Sequence, residues 1–241
     1  MNQSPPQGRL GGRLALVTGA SRGIGAAVAR RFAAEGAHCI LLARTVGGLE
    51  ETDDEIRTAG HPTATLVPLD LRDFDKIDQL GASLHERFGR LDVLVGNAGI
   101  LGVLSPTGHV SPKIWQEILD INLTANWRLI RSLDPLLRQS EAGRAIFVTS
   151  NAASGIHPYW GPYAATKAAL EMMVKTYAAE VTKTKLKVNL LDPGIVRSKL
   201  RAEAFPGENP ETLAPPDSVT DTFVDLAEAA CTRHGEVVKA G

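Results

Sequence analysis

The stretch "LALVTGASRGIGAAVARRFAAEGAHCILLAR" constrains the fold more than any other part of the chain. Leu14 to Val17 form an unbroken apolar run that stops at a glycine turn. An alanine-rich helical pattern follows from about Gly23, with Gly36 as its C-cap, and "HCILLAR" is a second unbroken apolar run. Runs without polar alternation are what parallel strands look like, because helices cover both of their faces. The pattern then repeats: "LEETDDEIRTA" reads as helix, "TATLVPLDL" as strand, "DFDKIDQLGASLHERFG" as helix and "LDVLVGNAG" as strand. The spacing predicts an α/β fold of Rossmann type, a doubly wound parallel sheet flanked by helices on both faces.

The second half keeps the alternation. A helical stretch is expected from Ser111 to about Leu137, disturbed near its end by Pro135. "RAIFVTS" and "LKVNLLDPG" read as strands on either side of a strong helix, "GPYAATKAALEMMVKTYAAEVT", with Pro162 near its first turn. Residues 197–217 lose periodicity and gather prolines, the composition of a mobile substrate loop or lid. A last helix over 218–231 leads into a short strand. No compositional break divides the chain, so one domain is expected over 12–241, with 1–11 as a flexible lead-in.

Composition excludes several function classes. The 241 residues carry a net charge of −1 with scattered basic residues, unlike a surface built for nucleic acid or anionic lipid. No signal-peptide segment follows Met1 and no apolar run is long enough to span a bilayer, so a cytoplasmic protein is expected and the Asn122-Leu123-Thr124 sequon carries no weight. The two cysteines, Cys39 and Cys231, read as free thiols. The six histidines are dispersed, and no metal site is expected.

"TGASRGIG" places Gly19, Ser21, Arg22, Gly23, Ile24 and Gly25 between the first strand and the first helix. Such a turn lets backbone N–H groups approach a pyrophosphate at the positive end of a helix dipole. No Gly-Lys-Ser/Thr follows, which excludes a P-loop. The second strand ends Leu42-Ala43-Arg44, without the acid that holds a ribose 2′-hydroxyl in NAD-preferring enzymes. Arg22 and Arg44 suit a 2′-phosphate instead, so NADP(H) is expected to be preferred over NAD(H).

One tyrosine and one lysine, Tyr163 and Lys167, stand four apart in a helical pattern and would share its face. Together with "TGASRGIG", "LDL" at 69–71, "GNAG" at 96–99, "INLTA" at 121–125, "VTS" at 148–150, "YAATK" at 163–167 and "DPGIVRS" at 192–198, they carry a resemblance to the short-chain dehydrogenase/reductase family from about Gly12 onward. The loop "FPGENPETLAPP" is similar to that of a bacterial branch whose substrates are poorly characterised. The resemblance implies hydride transfer between NADP(H) and a carbonyl or secondary alcohol. It makes Tyr163 the general acid and base, and Ser150 the hydroxyl that bonds the substrate oxygen, with Ser154 as the other candidate. Lys167 would bind the nicotinamide ribose and favour the ionised tyrosine, and Asn122 would hold a water through its backbone.

The remaining cofactor contacts implied are Asp70 and Leu71 at the adenine edge, Asn97, Ala98 and Gly99 beside the adenosine half, and Pro193, Gly194, Ile195 and Ser198 at the nicotinamide. Substrate-pocket candidates are Leu101, Asn151, His157, Tyr159 and Trp160. The family implies a homodimer or homotetramer, packed through the long helices around Asn122 and Tyr163. A non-enzymatic NADP(H)-binding redox sensor is the alternative; it would need the glycine turn but not Ser150, Tyr163 and Lys167 together. A sugar-nucleotide epimerase or dehydratase on the same fold would normally require a further C-terminal substrate region.

Overall fold

The computed structural model describes residues 8–240. Seven parallel strands form one sheet in the order β3-β2-β1-β4-β5-β6-β7. They are β1 (Leu14–Thr18), β2 (His38–Ala43), β3 (Thr65–Pro68), β4 (Val93–Gly96), β5 (Arg144–Val148), β6 (Lys187–Asp192) and β7 (Val237–Lys239). The helices are α1 (Gly23–Ala34), α2 (Val46–Thr58), α3 (Phe74–Phe88), α4 (Pro112–Leu119), α5 (Ala125–Gln139), α6 (Gly161–Glu180), α7 (Lys199–Ala204) and α8 (Thr220–Ala227).

The unbroken apolar runs of the sequence feed two cores, because successive side chains of a strand point to opposite faces. Ala15 and Val17, Cys39 and Leu41, Val93 and Val95, and Ile146 and Val148 join the core under α1, α2 and α8. Leu14 and Leu16, Ile40 and Leu42, Leu94, and Ala145 and Phe147 join the core under α3, α5 and α6. The strand order reverses between β1 and β4, and the crevice at their carboxyl ends is where an open parallel sheet binds ligands.

Three expectations need revision. Residues 1–7 of the expected lead-in lie outside the described residues, but its remainder is packed: Leu10 is buried, and the N–H groups of Leu10 and Arg9 donate to the carbonyl and the carboxylate of Glu35 at 2.9 and 3.0 Å. The loop 197–217 is ordered into α7 and two 3₁₀ turns, Pro210–Thr212 and Pro216–Val219, and is tied down by a bridge between Val196 and Ala214. Short capped turns escape a periodicity test; here Ser198 caps α7 by accepting from the Arg201 N–H at 3.1 Å. Third, the expected helix from Ser111 to Leu137 is α4 and α5 joined by a π-helical turn, Asp120–Thr124, with Asn122 at its centre. The helix also runs four residues past Pro135, to Gln139.

Cys39 is buried and Cys231 half-buried, and both are free thiols. Burial pushes the Cys39 thiol up to about 12, so it stays protonated and inert. No helix among the described residues is long and apolar enough to cross a membrane.

Candidate active site

A cleft of about 600 Å³ opens along the carboxyl ends of β1, β2, β4, β5 and β6. Its floor at one end is the glycine turn. Gly19 has φ +68°, which a side chain rarely tolerates, and a Cβ there would stand 2.9 Å from Asn97 Nδ2. Gly25 lies behind the turn rather than in the cleft wall. A Cβ on Gly25 would stand 2.3 Å from the Gly19 carbonyl oxygen and 2.6 Å from Asn97 Nδ2, so a side chain would push the turn away from α1. Gly25→Ala is therefore expected to cost about 1–3 kcal/mol of stability by overpacking. Urea unfolding checks this, and an unchanged midpoint would show that the turn can shift freely.

Thr18 and Asn97 pin the ends of β1 and β4 together. Thr18 Oγ1 accepts from the N–H groups of Asn97 and Ala98 at 2.9 and 3.0 Å, and Asn97 Nδ2 donates to the Thr18 carbonyl at 2.8 Å. Asn97, Ala98 and Gly99 line the cleft with their backbone positions fixed in this way. Ser21, Arg22, Gly23, Ile24, Arg44, Asp70 and Leu71 also line this half. Arg22 is exposed and takes no carboxylate partner among the described residues. Arg44 reaches Asp70 only at 4.0 Å, while Arg72 grips the same carboxylate at 2.7 and 3.1 Å. Hydrogen bonds from Arg72 hold the Asp70 carboxyl below the usual carboxylate range. This half of the cleft thus presents two arginines against one neutralised acid.

Tyr163 and Lys167 project from the first turns of α6 at the other end of the floor, both buried. Pro162 sits near the start of this helix, where its missing N–H costs nothing. Lys167 Nζ lies 5.7 Å from the centre of the Tyr163 ring and donates to the Val148 carbonyl at 2.9 Å. Burial without a carboxylate pushes the lysine down to about 8. Burial also pushes the Tyr163 phenol up to about 12, opposed by a hydrogen bond with Ser150 and reinforced by the Asp192 carboxylate. The expectation of a depressed tyrosine is therefore not met by this chain's own side chains, because burial dominates and Asp192 adds to it.

Ser150 caps a 3₁₀ turn, Asn151–Ala153: its Oγ accepts from the Ala152 N–H at 3.2 Å and donates to Asn151 Oδ1 at 3.3 Å. Ser150 and Asn151 line the cleft; Ser154 is exposed and does not. Asn122 lies behind the wall, fully buried. Its side chain accepts from the Ile100 N–H at 2.9 Å and donates to the Ile100 carbonyl and to Thr166 Oγ1 at 2.9 and 3.1 Å. Thr166 in turn donates to the Tyr163 carbonyl at 2.8 Å. Asn122 therefore braces α6 against the strand β4 loop, and its backbone carbonyl accepts from Asn126 Nδ2 at 2.9 Å.

Pro193, Gly194, Ile195 and Ser198 line the same end, as do Leu101 and Trp160. His157 and Tyr159 do not. Both are exposed: His157 meets Trp160 at a tilt with ring centres 5.8 Å apart, and Tyr159 has φ 73°, the one described non-glycine residue in the left-handed region. That turn points the chain outward at Tyr159 and brings Trp160 in. Leu200 and Ala204 of the expected substrate loop also line the cleft, as do Asp192, Thr45 and Ile121, which were not singled out from the sequence. Asp192 directly precedes the Pro-Gly pair, and that adjacency was the available signal.

Comparison with known proteins decides the family. Residues 13–209 match the model of the short chain dehydrogenases. The chain belongs to the short-chain dehydrogenase family of oxidoreductases. The oxidoreductase YciK of Escherichia coli (strain K12) is 35% identical over 228 residues, covering 94% of this chain and 90% of YciK. Among solved structures, a short chain dehydrogenase from Escherichia coli CFT073 complexed with NADPH aligns with a TM-score of 0.93 at 34% identity, covering 98% of this chain and 99% of that one. A counterpart from Shigella flexneri 2a str. 301 complexed with NADP aligns with a TM-score of 0.93 at 34% identity, covering 97% and 98%.

Proposed function

We propose that this short-chain dehydrogenase interconverts a carbonyl and a secondary alcohol with NADP(H), using Tyr163 as the proton donor and acceptor. The observation that carries the reading is the convergence of Tyr163, Ser150 and Lys167 on one floor of a cleft whose other end is a glycine turn. The relatives crystallised with NADPH and NADP support the cofactor.

The residues fit a dinucleotide phosphate. The backbone of the turn from Gly19 to Ile24 can approach a pyrophosphate, since it lines the cleft and Gly23, at φ +56°, leaves open space where a Cβ would stand. Arg22 and Arg44 are placed for the 2′-phosphate, Asp70 and Leu71 for the adenine edge, and Asn97 to Gly99 for the adenosine wall. Pro193, Gly194, Ile195 and Ser198 would flank the nicotinamide; Ser198 spends its lone pair on the α7 cap and keeps its O–H to donate. The cofactor, when bound, supplies or accepts the hydride.

The chain's own residues manage the proton and the oxygen. Ser150 and Tyr163 would both donate to the substrate oxygen, placing two hydrogen bonds where negative charge develops. A phenol pushed up to about 12 is protonated throughout the neutral range, so the site is set to give a proton in reduction. Lys167, held by the Val148 carbonyl, supplies a fixed positive charge beside the ring and would bond the ribose. Asn122 is a positioning residue, acting through Thr166 on the backbone of Tyr163. A homo-oligomer and a small-molecule partner complete the reading.

Turnover tests it: NADPH should be consumed with a stoichiometric carbonyl substrate and an alcohol should appear. Selectivity tests the cofactor assignment. Arg22→Ala with Arg44→Asp should weaken NADPH binding by at least about tenfold while NADH binding changes little, as expected for loss of charge-assisted phosphate bonds. Unchanged NADPH affinity in a fluorescence titration would place the 2′-phosphate elsewhere.

A further inference from the structure

We propose that the substrate half of the cleft selects an uncharged, apolar carbonyl compound that packs against Trp160, and rejects carboxylates of the same shape. The inference rests on the carbonyl-reducing reading above and names the class of substrate for that same site.

Two observations carry it. The first is the wall around the tyrosine. Leu101, Ala152, Tyr163 and Ala204 form a separate apolar cluster, with Trp160 and Leu200 packed on it. Trp160 is the hub, meeting Tyr163 edge-on at 5.7 Å and Phe205 at 5.9 Å between ring centres. A ligand whose carbonyl reaches Tyr163 must therefore lay its body on aromatic and aliphatic surface, where burial of apolar area is favourable and an unpaired charge is costly.

The second is how charge is handled at the two ends of the cleft. In the adenosine half Arg22 has no carboxylate partner among the described residues, and Arg44 has only a distant one already gripped by Arg72. In the substrate half Lys167 is held by the Val148 carbonyl and assigned to the cofactor ribose, and the remaining cations are already neutralised within the chain. Arg201 is clamped in a fork by Glu208, with Nε to Oε2 and Nη2 to Oε1 both at 2.6 Å, and its guanidinium lies over the Phe205 ring at 3.8 Å. Lys199 has Glu203 at 3.7 Å, and Glu203 itself faces the cleft. The Lys199 pair is exposed and screened by water, so Arg201 is the decisive cation. An acidic substrate could use it only by displacing Glu208 from a half-buried bidentate pair. One cleft thus welcomes anionic groups at the cofactor end and leaves them without a partner at the substrate end.

The experiment uses a matched pair of ketones, 2-acetylnaphthalene and 6-acetyl-2-naphthoate, with the NADPH-saturated protein. Calorimetric binding and kcat/KM are both measured, so that binding is read independently of turnover. The neutral ketone should be preferred by at least about tenfold, the discrimination expected when a charge must enter an apolar site without a partner. Glu208→Gln uncovers Arg201 and should narrow that preference by about tenfold, and adding Arg201→Gln should restore it. Preferred binding of the neutral ketone without turnover would support the substrate class and remove the reaction reading alone. Equal or tighter binding of 6-acetyl-2-naphthoate, binding of neither ketone, or an unchanged preference in Glu208→Gln would overturn the inference.

Discussion

Tyr163→Phe is expected to lower kcat by at least about a thousandfold while leaving the NADPH dissociation constant within about threefold. The phenol is the one acidic O–H in the cleft floor that also lies beside a buried cation, and the substitution removes both its proton and one of two donors to the substrate oxygen. General acid catalysis and oxyanion stabilisation are each worth roughly two to three powers of ten, and here they are lost together. The fold should tolerate the change. Tyr163 is held by its packing against Trp160 and by the backbone of α6, neither of which needs the hydroxyl. A stability loss near 1 kcal/mol is the expected scale. Steady-state kinetics beside a binding titration separates the two effects, since a cofactor-binding role would raise the NADPH dissociation constant instead.

Lys167→Met is expected to make the protein more stable at neutral pH and nearly inactive. Lys167 is buried with no carboxylate partner, and burial pushes it down to about 8 from an ordinary value of 10.5. Below about pH 8 both folded and unfolded chains hold the proton, and the folded state bears the full cost of a buried ammonium. Between about 8 and 10.5 the unfolded chain binds more protons, so this group makes stability rise with pH across that window. Methionine fills similar volume without the charge. Allowing for the lost bond to Val148, the net gain at pH 7 is of the order of 2 kcal/mol, or a Tm about 5 °C higher, and the rise between pH 8 and 10.5 should disappear. Activity should fall at least about a hundredfold, and wild-type reduction should decline as pH passes about 8, where Lys167 loses its proton while Tyr163 keeps its own. A Lys167→Met variant less stable than wild type at pH 7 would show that the ammonium is better solvated than its burial implies.

Such a lysine is retained at a cost to the fold, and that is a property of function rather than of packing. The same contrast explains what could be read before the structure. Parallel strands were legible because residues such as Leu14 to Val17 are apolar on both faces, and the glycine turn was legible because Gly19 and Gly25 sit where any Cβ would collide. Ser150, Tyr163 and Lys167 could be named because "VTS" and "YAATK" resemble the motifs of the family. The substrate half was less legible. Tyr159 and His157 face outward because of a single left-handed residue, which no periodicity reveals, whereas Trp160 next to them turns in. Asn122 is expected to act through its backbone; that its side chain also braces α6 through Thr166, from within a π-helical turn, is not something periodicity reveals. The charges of 199–211 take their meaning from the Arg201–Glu208 pairing, seven residues apart, which depends on how α7 is capped and folded back.

The central claim, that Tyr163 gives its proton to a carbonyl reduced by NADPH, is tested most directly by following NADPH oxidation over a panel of ketones and aldehydes with wild type and Tyr163→Phe in parallel. The account predicts one alcohol formed per NADPH consumed by the wild type, and turnover lost in the variant although NADPH still binds. Undiminished turnover by Tyr163→Phe, or wild-type protein that binds NADPH and reduces none of the panel, would contradict it.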